Sequence, residues 1–108
     1  MNSPLAEFEL LVVLAALRLG GDAAYTVSIA DDIQQRTGRV VRRANVFTSL
    51  RRLEERGLVA TRLGDPQADR GGRPPRLVRV TARGAAAART TTSAIQAMIG
   101  DLALGKGK

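Results

Sequence analysis

Asn45, Thr48, Ser49 and Arg52 recur at steps of three and four in the middle of the chain. On an α-helix this spacing places them along one stripe. Their chemistry suits the edges of nucleic-acid bases. Arginine can fork onto guanine O6 and N7, and asparagine can pair with adenine N6 and N7. Serine or threonine can bond a phosphate or either kind of base edge. Arg42 and Arg43 stand just ahead of the stripe, where a helix would ordinarily be capped by Ser, Thr, Asp or Asn. Cations at that end oppose the helix dipole by about 0.3–1 kcal/mol each. A phosphate placed there relieves the repulsion, so the broken rule marks a contact point for a polyanion. The bland alternative is a solvated helix face that starts elsewhere.

A second basic stretch, Arg70-Gly71-Gly72-Arg73-Pro74-Pro75-Arg76, combines glycines that let a backbone approach a duplex with prolines that stiffen the loop. Its arginines suit phosphate or the minor groove. Asp65 and Asp69 dilute the charge, and a loop that merely happens to be basic is the competing reading. Tyr25 reads as a boundary core residue whose hydroxyl is a candidate phosphate contact.

Composition supports a polyanionic partner. The formal net charge is +7, the sequence pI is about 11.4, and only Lys106 and Lys108 among the basic residues are lysines. Nucleic acid is the first expectation and an anionic membrane surface the second. The absence of Cys and His removes disulfides, thiolate nucleophiles and zinc fingers. No acidic cluster has metal-ligand spacing, no glycine-rich phosphate loop precedes a lysine, and Glu54 and Glu55 diverge as neighbours on a helix. Neither enzyme activity nor a cofactor nor a metal is expected.

The elements that must carry these groups follow from local rules. Ser3-Pro4 predicts a helix start, with Leu5 to Leu19 apolar almost all round. The run Leu10 to Leu17 follows Glu7 and Glu9 with no basic residue ahead of it, so it is neither a signal peptide nor a membrane span. It reads as a buried helix of a cytoplasmic protein with no membrane role. A second helix is predicted from Thr26 to Arg36, with Val27, Ile29, Ala30 and Ile33 toward the core and Gly38 as its stop. A third runs from about Arg43 to Arg56, with Val46, Phe47, Leu50 and Leu53 as its core stripe and Gly57-Leu58 closing it. Strands Leu58 to Leu63 and Arg76 to Thr81 flank the Gly- and Pro-rich loop and predict a hairpin. Thr81 then caps a last helix from Ala82 to about Leu102. Ile95, Met98, Ile99 and Leu102 on that helix form a seam for a partner helix.

Helix, helix, helix, basic hairpin, helix is the winged helix-turn-helix layout, an α+β class that is mainly α. The chain divides into residues 1–81 as DNA-binding domain, 82–104 as C-terminal dimerisation helix and 105–108 as a disordered tail. In this scheme Asn45, Thr48, Ser49 and Arg52 read bases. Tyr25, Arg42, Arg43, Arg70, Arg73 and Arg76 bind phosphate or form the wing. Rival readings are a protein-interaction adaptor that keeps a winged helix, and a nonspecific nucleic-acid binder.

From Leu5 to about Leu102 the sequence resembles the PadR family of transcriptional regulators in its short form. The resemblance rests on Glu9-Leu10-Leu11-Val12-Val13-Leu14-Ala15-Ala16-Leu17, on Ala24-Tyr25, and on Val46-Phe47-Thr48-Ser49-Leu50-Arg51-Arg52-Leu53-Glu54-Glu55-Arg56-Gly57-Leu58-Val59. Gly71-Gly72-Arg73-Pro74 followed by Val80-Thr81-Ala82-Arg83-Gly84 makes the combination more specific. It implies a bacterial regulator, usually a repressor, acting as a homodimer on a palindromic operator. The dimer would join the C-terminal helix to the partner's first helix, through Leu10, Leu14, Ile95, Met98, Ile99 and Leu102. A small-molecule effector is possible within such a family, and the sequence names none. The chain departs from the family pattern at Phe47, commonly Tyr, at Thr26 after Tyr25, commonly Gly, and at Leu77 and Val78, where Tyr is common.

Overall fold

The computed structural model describes residues 4–65 and 73–105. Ser3, Arg70, Gly71, Gly72 and the end of the tail therefore lie outside the described residues. The order is α1 (Glu7–Leu19), a short 3-10 turn (Gly21–Ala23), α2 (Thr26–Thr37), α3 (Arg43–Glu55), β1 (Val59–Leu63), β2 (Arg76–Val80) and α4 (Ala82–Ile99). This is the winged-helix architecture the sequence predicts.

With so few aromatics, the core is aliphatic. Val12, Val13, Ile29, Val46 and Leu53 are its largest fully buried side chains, drawn from three helices. Full burial of side chains of this kind stabilises by about 1.5–3 kcal/mol each. Gly38 ends α2 in the left-handed conformation (φ 76°), and its N–H donates to the Gln34 carbonyl at 2.9 Å. The Gln34 side chain then reaches past the helix end and accepts from the Val41 N–H at 3.1 Å. These bonds set the turn between α2 and α3.

Two predicted boundaries move. The first helix begins at Glu7 rather than beside Ser3-Pro4, with Ala6 as its N-cap. Leu5 dives into the core instead, and its N–H donates at 3.0 Å to the buried Thr91 Oγ1 on α4. The Glu9 carboxylate turns back to accept from the Ala6 N–H at 3.1 Å. At the other end, α4 stops at Ile99 because Gly100 adopts φ 49°, so Leu102 lies beyond the helix. The first half of α4 belongs to the main core through Gly84, Ala87, Ala88 and Thr91.

The hairpin pairs Val59 with Val80, Thr61 with Val78 and Leu63 with Arg76 in antiparallel register. Its root is fixed at both ends. At α3, the Leu58 N–H donates to the Leu53 carbonyl and the Gly57 N–H to the Glu54 carbonyl, both at 2.9 Å. That is a Schellman closure around Gly57 (φ 75°), with Leu53 and Leu58 both buried beneath it. At α4, Thr81 Oγ1 donates to the Gly57 carbonyl at 2.8 Å and accepts from the Gly84 N–H at 3.1 Å. The Thr81 N–H donates to the Leu58 carbonyl at 3.1 Å. Gly84 packs so closely that a Cβ there would sit 2.0 Å from the Leu58 carbonyl oxygen.

Gly84→Ala forces this corner apart, and overpacking of that order costs about 1–3 kcal/mol. Thr81→Ala, which removes a cap without adding bulk, costs about 1 kcal/mol. Chemical denaturation is expected to rank Gly84→Ala as the more damaging of the two.

Candidate nucleic-acid interface

The phase of α3 decides which side chains face out. Val46, Leu50 and Leu53 point inward, and Ser49 lies within about 60° of Val46 around the axis. Ser49 is consequently buried at 8% exposure, on the side of α3 toward α1, and it drops out of the exposed stripe. Asn45, Thr48 and Arg52 remain exposed, beside a shallow groove shared with Ala6, Phe8 and Glu9 at the head of α1. Phe47 turns about 100° from Val46 in the opposite sense. It is 50% exposed and not part of the core stripe the sequence predicts.

On that other flank, Phe47 and Arg43 line an open cleft with Tyr25, Thr26 and Val27 from the start of α2. Arg73, Pro74, Pro75 and Arg76 from the base of the wing complete it. Val27, expected toward the core, is half-buried on this cleft. A smaller neighbouring hollow brings Arg51 against Phe47, Thr26, Thr61 and Arg76. Tyr25, Arg43, Arg73 and Arg76 thus line one cleft. Arg51, Thr26 and Phe47 are the members that sequence reasoning missed. A helical wheel centred on Val46, Leu50 and Leu53, without Phe47, would have moved the outward face toward Arg51.

Two helix N-termini open on this cleft, and neither has a side-chain cap. Arg42 is the N-cap of α3, in extended conformation, with no side-chain cap bond and no acidic residue in the first turn. Tyr25 is the N-cap of α2, again without a side-chain cap bond, and no acidic residue follows in its first turn. Ser28 serves this start differently: its Oγ accepts from the Tyr25 N–H at 3.0 Å. Each N-terminus presents roughly half a positive charge.

The arginines divide by neighbourhood. Arg18 and Arg36 both pair with Asp32, Arg39 with Glu7, Arg56 with Glu9 and Arg62 with Asp22. Arg42, Arg43, Arg51, Arg52 and Arg73 form no ion pair with another described residue. Arg76 is held by hydrogen bonding: its Nη1 donates to Thr61 Oγ1 at 3.1 Å. Thr61 Oγ1 in turn donates to Glu54 Oε2 on α3 at 2.9 Å. The relay ties the wing stem to α3 and leaves the guanidinium on the cleft.

No family profile matches the sequence, and no curated protein matches it. Solved structures do. A PadR-family transcriptional regulator from Eggerthella lenta superposes with a TM-score of 0.66 at 20% identity, covering 89% of this chain and 82% of that one. A PadR-like transcription factor from Bacteroides fragilis gives a TM-score of 0.64 at 16% identity, covering 89% of each chain. The chain has the PadR winged-helix fold. The similarity in fold extends over nearly the whole chain.

Among the described residues no group of acidic side chains is placed to hold a metal ion, and no helix is long and apolar enough to cross a membrane.

The uncapped start of α3 has a measurable consequence. Arg42→Asp supplies both an N-cap acceptor and a favourable charge, and is expected to raise stability by about 1 kcal/mol. A fall in thermal stability would mean that Arg42 makes a structural contribution that its exposed position hides.

Proposed function

We propose that this chain is a transcriptional regulator of the PadR type that binds double-stranded DNA sequence-specifically as a homodimer, usually to repress. One observation carries the reading: the starts of α2 and α3, neither with a side-chain N-cap bond, the Arg43–Phe47 flank of α3 and the wing stem converge on one cleft edged by Arg43 and Arg73, which lack carboxylate partners among the described residues. The likeness in fold to PadR regulators supports it.

In this mechanism α3 enters the major groove by its N-terminal half. Asn45, Thr48 and Arg52 contact base edges from one flank and Arg51 from the other. Arg42, Arg43, Arg73 and Arg76, with Tyr25 and the start of α2, hold phosphates on either side. Arg70, the remaining wing candidate from the sequence, lies outside the described residues. Ser49, being buried, is not assigned a base.

The second copy covers the end of α4. Ile95, Met98 and Ile99 are 45%, 80% and 38% exposed there, and Leu102 beyond the helix is 63% exposed. Leu14 is half-buried and available at the edge of such a contact, whereas Leu10 is 6% exposed and belongs to the core of its own protomer. Leu10 is therefore withdrawn from the dimer seam. A two-fold dimer presents two recognition helices about 34–36 Å apart, one turn of B-DNA, and matches a palindromic site.

Fluorescence anisotropy against the chain's own upstream DNA and a scrambled duplex, across a salt series, tests the assignment. The expected result is a large affinity gap between the two duplexes, with affinity falling steeply as salt rises. Arg73→Ala is expected to weaken both duplexes alike and to reduce the salt slope by about one, whereas Arg52→Ala relaxes discrimination by about 1–3 kcal/mol at one base pair. Equal binding to both duplexes would leave a nonspecific nucleic-acid binder, and no binding would favour the protein-interaction adaptor. Sedimentation of Met98→Asp is expected to show a monomer where the parent chain is a dimer.

A further inference from the structure

We propose that Phe47 is a specificity residue that packs its ring on the 5-methyl group of a thymine in each half-site. The inference rests on the DNA-binding reading and assigns a base preference to a side chain with no hydrogen-bonding capacity. Three observations lead to it. Phe47 is half exposed although it is the largest apolar side chain on α3. It lies in the first turn and a half of the helix, the part of a recognition helix that meets base edges. Its neighbours one turn away on the same face are Arg43 and Arg51, neither ion-paired with a described residue.

Those neighbours restrict what the ring can meet. Arg43, the α2 N-terminus and Arg73 line the same cleft and attract phosphate, while Arg51 borders the ring from the next turn. A duplex held by these groups brings its major-groove edge to Phe47. The major groove presents one apolar group among its base edges, the C5-methyl of thymine. Phenylalanine gains by covering it and gains nothing from a cytosine N4 donor or a guanine acceptor pair at the same place. Pro74 and Pro75, also on the cleft, add apolar wall without adding a competing donor.

The test begins with the full-length protein and a pool of duplexes with a randomised core. Wild type is expected to select sites with a fixed thymine in each half. Phe47→Ala is expected to lose that thymine while keeping the rest of its preference, and Phe47→Tyr, which keeps the ring, to retain it. Thermal unfolding of Phe47→Ala checks that the half-exposed ring is dispensable for folding. The decisive measurement replaces the selected thymine by deoxyuridine, which removes the methyl alone. Wild type is expected to bind about 4-fold more weakly per half-site, the equivalent of about 0.8 kcal/mol for one buried methyl. Phe47→Ala is expected to be indifferent to the change. A thymine preference that survives in Phe47→Ala, or equal binding of wild type to thymine and deoxyuridine duplexes, overturns the inference while leaving the DNA-binding reading intact. Equal binding of wild type to every duplex overturns the inference and the sequence-specific reading together.

Discussion

The hydroxyl of Thr81 makes two hydrogen bonds at once, donating to the Gly57 carbonyl and accepting from the Gly84 N–H. Three elements meet there: the end of α3, the return strand of the hairpin and the start of α4. A two-stranded hairpin is marginal by itself in water, so the wing depends on such anchors. Its second strand gains one further anchor where the Val78 N–H donates to the Ala24 carbonyl at 2.8 Å, just ahead of α2. Gly84 is required because the α4 backbone lies against the Leu58 carbonyl, with no space for a methyl group. The sequence pattern Gly-Leu-Val followed by Val-Thr-x-x-Gly is therefore one mechanical joint at the root of the two strands.

That joint secures the end of α3 and the start of α4. The start of α4 is capped by Thr81, inside the joint, and the starts of α2 and α3 have no side-chain cap. A protein optimised only for stability would place Asp or Ser at position 42. Arginine there is tolerated because the third helix is secured from its other end, by the Schellman closure and by Leu53 and Leu58 in the core. Local disagreement with a folding rule, in a segment whose remaining contacts are satisfied, is the pattern expected of a site shaped for a ligand.

Much of the architecture was legible because it rests on local codes. Gly38, Gly57 and Thr81 each announced an element boundary through backbone or capping chemistry that depends on few neighbours. The start of α1 was misread for the opposite reason: Leu5 is held by Thr91, far along the chain, and no local rule reports that bond. The site was legible in its cations and only partly in its phase. Phe47 and Ser49 exchange roles through helix phase: Ser49 lies about 60° from Val46 on the side toward α1, whereas Phe47 lies about 100° from it on the other side. The family resemblance implies Leu10 in the partner surface, and a helix apolar all round has no pattern to tell an inner face from an outer one.

The distribution of carboxylates completes the argument from charge. A chain this basic could neutralise its arginines wherever an acid was near, yet the described ion pairs engage Glu7, Glu9, Asp22 and Asp32, all on or beside the first two helices. Glu54 on α3 accepts from the Thr61 hydroxyl of the wing stem and is not in a described ion pair. Thr61 thereby orients Arg76 through its oxygen while keeping the negative charge one hydrogen bond removed. Exposed ion pairs contribute only about 0–1 kcal/mol each, so little stability is at stake in this arrangement. Its larger effect is on the field: Arg42, Arg43, Arg51, Arg52 and Arg73 keep their charge unpaired by a described carboxylate, beside the positive ends of α2 and α3.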